Sequence, residues 1–142
     1  MSTWISSDSV TNFITGSYAN NILLVSDSCY SGLIGQSIVA KRYRGSSDPK
    51  FLKTMLQARS RILITSGGDK PVADFGGSGH SIFAQAFIDA LNAKRSDAFI
   101  SHKLFSYVRE KVTKTLGSHQ VPRFYRLRNA GHEDGDFVFQ MH

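Results

Sequence analysis

The chain has 142 residues, the size of one domain, with 41% hydrophobic residues and a net charge of +6. No stretch approaches the roughly 20 apolar residues of a membrane helix, and Met1 to Ser9 reads as neither a signal nor a transit peptide. A single cysteine excludes an internal disulfide and a multi-cysteine metal site, and fits a reducing, cytoplasmic setting. The basic residues are scattered, densest at Lys41, Arg42 and Arg44, without the aromatic–basic interleaving that stacks on single strands. The charge therefore reads as a solvated basic surface, and neither nucleic acid nor a membrane is expected as a partner.

The first predicted element is a short amphipathic helix from Ser9 to Thr15, capped by Asp8 or Ser7 and ended by Gly16. Ile22-Leu23-Leu24-Val25 follows as an unbroken apolar run, the pattern of a strand buried on both faces of a parallel sheet. Asp27-Ser28-Cys29-Tyr30-Ser31-Gly32 stands at its C-terminal end, where open α/β sheets bind ligands. Residues 35–49 are polar and basic and read as an exposed loop. A helix is predicted from Pro49 to Ala58, with Phe51, Leu52, Met55 and Leu56 on one face. Arg61 to Thr65 reads as a second buried strand, and Ser66-Gly67-Gly68 ends it. A polar loop leads to an amphipathic helix from Ser81 to Ala93, then to a helix capped by Ser101 and reaching about Leu116. Phe124 to Leu127 and Phe137 to Phe139 are the late strands, and the alternation argues for an α/β layered fold.

Cys29 carries the chemistry. A thiol just past a buried strand, among small polar residues, is placed to react as a thiolate. Gly32 lets the backbone turn closely, so amides near Cys29 can face a developing oxyanion. Position alone equally allows an ordinary small buried residue.

The surrounding residues favour the nucleophile. Leu24-Val25-Ser26-Asp27-Ser28-Cys29-Tyr30-Ser31-Gly32 resembles the nucleophile motif of caspase-like cysteine peptidases, the metacaspases and bacterial caspase homologues. Leu63-Ile64-Thr65-Ser66-Gly67-Gly68, Pro71-Val72-Ala73-Asp74 and Ser81-Ile82-Phe83-Ala84 resemble the same family in the expected order, as do Gln120-Val121-Pro122 and Gly135-Asp136-Phe137-Val138-Phe139. The resemblance covers nearly all of residues 1–142, taken as one partial peptidase domain. It implies a caspase-like sandwich: a mostly parallel central sheet flanked by helices, with the N-terminal part missing.

It also implies roles. Cys29 is the nucleophile of a cysteine endopeptidase. Asp27, two residues earlier, contributes to an acidic pocket for Arg or Lys at the cleavage position, a contact suited to charge-assisted hydrogen bonds. Asp74 is a candidate second carboxylate and Asp69 a weaker one; all three aspartates alternatively cap turns. His80, in the loop that resembles the substrate side, is a candidate cleft residue. Lys41, Arg42 and Arg44 mark residues 35–49 as a processing loop. The resemblance requires no resident cofactor and admits calcium dependence. The implied partners are proteins or peptides with a basic cleavage residue, and the N-terminal part of the domain or another copy of the chain.

One departure stands out. In caspases the catalytic histidine lies roughly 50 residues before the cysteine. Here 28 residues precede Cys29 and none is His. His80, His102, His119, His132 and His142 match neither that position nor a metal-ligand spacing. Two functions follow: an endopeptidase cleaving after Arg or Lys, inactive as this chain alone, or a non-catalytic caspase-like module that pairs with another chain.

Overall fold

The computed structural model describes residues 6–27, 35–37, 47–67, 79–93, 97–115 and 120–140. They form a mixed α/β structure whose order is α1 (Ser7–Thr15), β1 (Asn21–Ser26), β2 (Gly35–Ser37), α2 (Pro49–Gln57), β3 (Ser60–Thr65), α3 (Ile82–Ala93), β4 (Phe99–Ile100), α4 (Ser101–Lys114), β5 (Arg123–Leu127) and β6 (Val138–Phe139).

The main sheet has the order β1-β3-β5-β2, and β4 pairs with β6 in a second, two-stranded sheet. β1 runs parallel to β3 from Asn21↔Ser60 to Ser26↔Thr65. β5 is antiparallel to both β3 and β2. The described sheet is thus mixed, with one parallel ladder and two antiparallel ones, where a mostly parallel sheet was expected. Gly35–Ser37 is also a correction: these residues, expected in an exposed loop, pair with Leu127, Arg126 and Tyr125.

β3 is the centre of the molecule, buried at all six residues. Strand alternation sends successive side chains to opposite faces. Ile62 and Ile64 pack with Phe83, Ala86 and Ala90 of α3 and with Leu104, Phe105, Val108 and Val112 of α4. Leu63 points the other way, to Ile14 of α1, Tyr125 and Leu127. The sheet is therefore covered by α1 on one face and by α3 and α4 on the other.

The helix ends follow from their caps. Ser6, not Asp8 or Ser7, caps α1, accepting from the Ser9 amide at 3.1 Å, and Gly16 closes it. Asp48 caps α2 with Pro49 at the first helical position, where its missing N–H costs nothing. Of the four apolar residues expected on one face of α2, Leu52 is buried whereas Leu56 is exposed. α4 begins without a side-chain cap from Ile100, and Ser101 lies inside the helix instead of capping it. Asp136, 35 residues later, takes over that role. It accepts from the Ser101 hydroxyl at 2.5 Å and from the His102 amide at 3.4 Å. A carboxylate at the positive end of a helix dipole is favourable there.

Arg61 fastens the start of β3. It is 1% exposed and donates to the carbonyls of Ala19, Asn20 and Ser60, each at 2.8 Å. At the other end of β3, Gly67 has φ +63°, and a Cβ there would lie 2.0 Å from the Val121 carbonyl oxygen. Only glycine combines that left-handed backbone with so close an approach.

Candidate functional site

The C-terminal ends of β1 and β3 lie side by side, because the two strands are parallel and in register to Ser26↔Thr65. The Ser66 amide donates to the Ser26 carbonyl at 3.0 Å, which carries the pairing one residue further. Asp27 follows β1 at this end and is exposed to solvent. Its carboxylate Oδ2 accepts a short hydrogen bond from the hydroxyl of Ser81.

Ser81 immediately precedes α3. Its Oγ accepts from the Ala84 amide at 2.9 Å, and its carbonyl accepts from the Gln85 amide at 2.9 Å, which makes it the N-cap of that helix. Gly79 turns the chain just before, with φ +77°. His80, also exposed, lies between this turn and the cap. The fold thus brings Asp27 and the His80–Ser81 segment together at the C-terminal end of the β1–β3 pair, although 54 residues separate Asp27 from Ser81.

Cys29, Gly32, Asp69, Asp74, Lys41, Arg42 and Arg44 lie outside the described residues, as do His119 and His142. Of the sequence-derived candidates, Asp27 and His80 are described, and both fall at this one end. Ser81 is the member that the sequence placed at a helix start and in a segment of the family resemblance, with no role of its own. A serine opening an amphipathic helix signals a cap, but nothing in that pattern reveals which side chain receives its proton.

The two remaining described histidines lie elsewhere. His102 packs its ring edge-on against Phe124, with centroids 4.9 Å apart, and burial lowers its pKa. His132 accepts from the Arg61 amide through Nδ1 at 3.0 Å. Burial, and then the charge of Arg126, push its pKa down. Both line a cavity of about 20 Å³ with Ile62, Phe124, Arg126 and Asp136, room for about one water molecule. Burial raises the carboxyl of Asp136 to about 6 despite the hydrogen bonds that favour its charge. This cluster lies beside the start of α4, around Ile62 of β3, whereas Asp27 follows the C-terminal end of β1. Among the described residues, no group of three or more His, Cys, Asp or Glu side chains could hold a metal ion, and no helix is long and apolar enough to cross a membrane.

No protein-family model, curated protein or solved structure matches this chain.

Proposed function

We propose that the chain carries the nucleophile-bearing part of a caspase-like cysteine endopeptidase that cleaves after Arg or Lys. The observation that carries this reading is the placement of Asp27. It follows a sheet strand, two residues before the sole cysteine, with its carboxylate at the cap of α3. Ligands of α/β sheets bind outside the carboxyl ends of the strands. A carboxylate there suits a guanidinium or ammonium group, which explains a preference for basic residues and not for aspartate.

In this reading Cys29 attacks the scissile carbonyl, and amides near Cys29 and Gly32 receive the oxyanion. Asp27 binds the basic side chain, with Asp74 as a second carboxylate and His80 at the cleft. In caspases the base that takes the thiol proton and returns it to the leaving amine is a histidine that precedes the cysteine, and none of the 28 residues before Cys29 is a histidine. The implied fold is the caspase-like sandwich, the implied setting the cytoplasm, and calcium is an admissible requirement.

The test is a peptide-library assay of the full-length protein. Cleavage should follow Arg or Lys and vanish in Cys29→Ala. Asp27→Ala should lower kcat/KM by about 10²-fold or more, the scale of losing a charge-paired contact. Dominant cleavage after Asp, or full activity of Asp27→Ala, refutes it.

A second reading, a non-catalytic module that pairs with another chain, is favoured by one feature. Among the described strands β1 pairs only with β3, and a partner strand added beside its other edge would extend the sheet. Cys29→Ala would leave such a module's function intact.

A further inference from the structure

The Ser81 hydroxyl does two things at once. It accepts from the Ala84 amide, which caps α3, and it donates its proton to Asp27 Oδ2. A hydroxyl has one donor and two acceptor sites, so the two uses do not compete. Capping requires only the acceptor. The donor is surplus to the helix and is directed across 54 residues of sequence to a carboxylate, a charge-assisted and therefore strong bond. Asp would cap a helix as well as Ser, but it would set a second negative charge against Asp27. Only a capping residue that also donates suits this place.

The two ends of the bond differ in rigidity. Ser81 is held by two hydrogen bonds to the first turn of a 12-residue helix. Asp27 lies beyond the last residue of β1, is exposed, and without the bond would turn freely about its side-chain torsions. The bond engages Oδ2 of an exposed carboxylate, and no hydrogen bond from another described residue reaches Oδ1.

We propose that Ser81 is a positioning residue for a guanidinium- or ammonium-bearing substrate, its hydroxyl holding the Asp27 carboxylate in one orientation with Oδ1 turned to the cation. This rests on the peptidase reading above and adds to it a residue which acts through Asp27 and does not touch the reacting atoms. Preorganising a charged ligand group saves the cost of immobilising it at each binding event, which is worth about 3- to 10-fold in affinity for one side chain.

The experiment measures binding of p-aminobenzamidine, a fluorescent cation that requires neither thiolate nor histidine, to the full-length protein carrying Cys29→Ala. Ser81→Thr retains donor and acceptor. Ser81→Gly removes the donor yet keeps most of the capping preference, and thermal unfolding of each variant confirms that it is folded. Ser81→Thr should bind within about twofold of the parent. Ser81→Gly should bind about 3- to 10-fold more weakly, Asp27→Asn more weakly still, and the double variant no worse than Asp27→Asn alone. If Ser81→Gly binds like the parent while Asp27→Asn does not, the role of Ser81 is overturned and the cation site at Asp27 stands. If Ser81→Thr loses affinity together with Ser81→Gly, the hydroxyl is not the cause and the proposal is equally overturned. If Asp27→Asn leaves binding unchanged, or the parent does not bind the probe, the cation pocket itself is wrong and the proposal falls with it.

Discussion

Asp136 shows how one side chain can stabilise a helix and oppose the fold's stability at the same time. It caps α4 through Ser101 and His102, yet it is 3% exposed, and burial raises its carboxyl to about 6 from an ordinary 3.8. A carboxyl raised on folding favours the folded state fully below its unfolded pKa. That contribution is lost as pH climbs through about 6, an effect on the order of 3 kcal/mol at about 1.36 kcal/mol per pK unit. His102 and His132, lowered by burial, act in the opposite sense: their contribution is present above 6.5 and is lost as pH falls. Comparing the parent with Asp136→Asn isolates the carboxyl from the histidines. Urea unfolding from pH 4 to pH 8 should show the asparagine variant gaining steadily on the parent up to about pH 7; a constant difference between them would refute the assignment. Asp136 is not legible as a cap in the sequence, because its partners stand 34 and 35 residues away. Asp27 is legible, since its two-residue offset from Cys29 is local. Ser81 lies between these cases: its cap is local and readable, and its bond to Asp27 depends on how β1 and α3 meet.

At the scale of elements, the buried strands were plain in the sequence. Ile62 to Ile64 and Ile22 to Val25 are apolar runs, and each falls within an observed strand. What the pattern does not give is direction. An apolar run has the same appearance in a parallel and an antiparallel ladder, so the antiparallel β5 beside β3 was invisible until the chain was folded. β2 escaped for a different reason: Gly-Gln-Ser has no strand preference, and its pairing with β5 alone makes it one. The turn after β3 makes a sharper prediction. Gly67→Ala forces a left-handed backbone on alanine and a Cβ into the Val121 carbonyl, so the β3 end must move away from residues 121–122. A loss of about 2–4 kcal/mol is expected in denaturant unfolding, the scale of overpacking plus backbone strain. A loss below about 0.5 kcal/mol would show that this end of the sheet yields easily. Processing belongs to this scale too. In the full-length protein, mass spectrometry should find cuts after Lys41, Arg42 or Arg44 that disappear in Cys29→Ala; cuts that persist would assign them to another protease.

Among the described residues the main sheet is covered by α1 on one face and by α3 and α4 on the other, and β1 and β2 are its edge strands. Among the described strands β1 has a neighbour on one side only, and Val25 on it is 36% exposed. The N–H and C=O groups of β1 that face away from β3 form a template for another strand. The peptidase reading makes a demand of its own. An ordinary cysteine has a pKa of about 8.5, so only a few per cent is thiolate near neutral pH, and in the proposed mechanism the base that activates the thiol also protonates the leaving amine. Members of a catalytic pair act as a unit, and loss of one removes most of the rate. The 142-residue chain by itself should therefore associate through β1 and hydrolyse no Arg or Lys peptide. Sedimentation velocity over a hundredfold range of concentration should reveal the association. Val25→Lys, which places a charge on the open edge strand, should weaken it by at least about tenfold if the contact is edge to edge. A monomer at all concentrations would mean that the edge is already covered. Cys29-dependent turnover by the chain alone would mean that one of its own histidines serves as the base. His80, beside the residue that bonds Asp27, would be the first to replace with alanine.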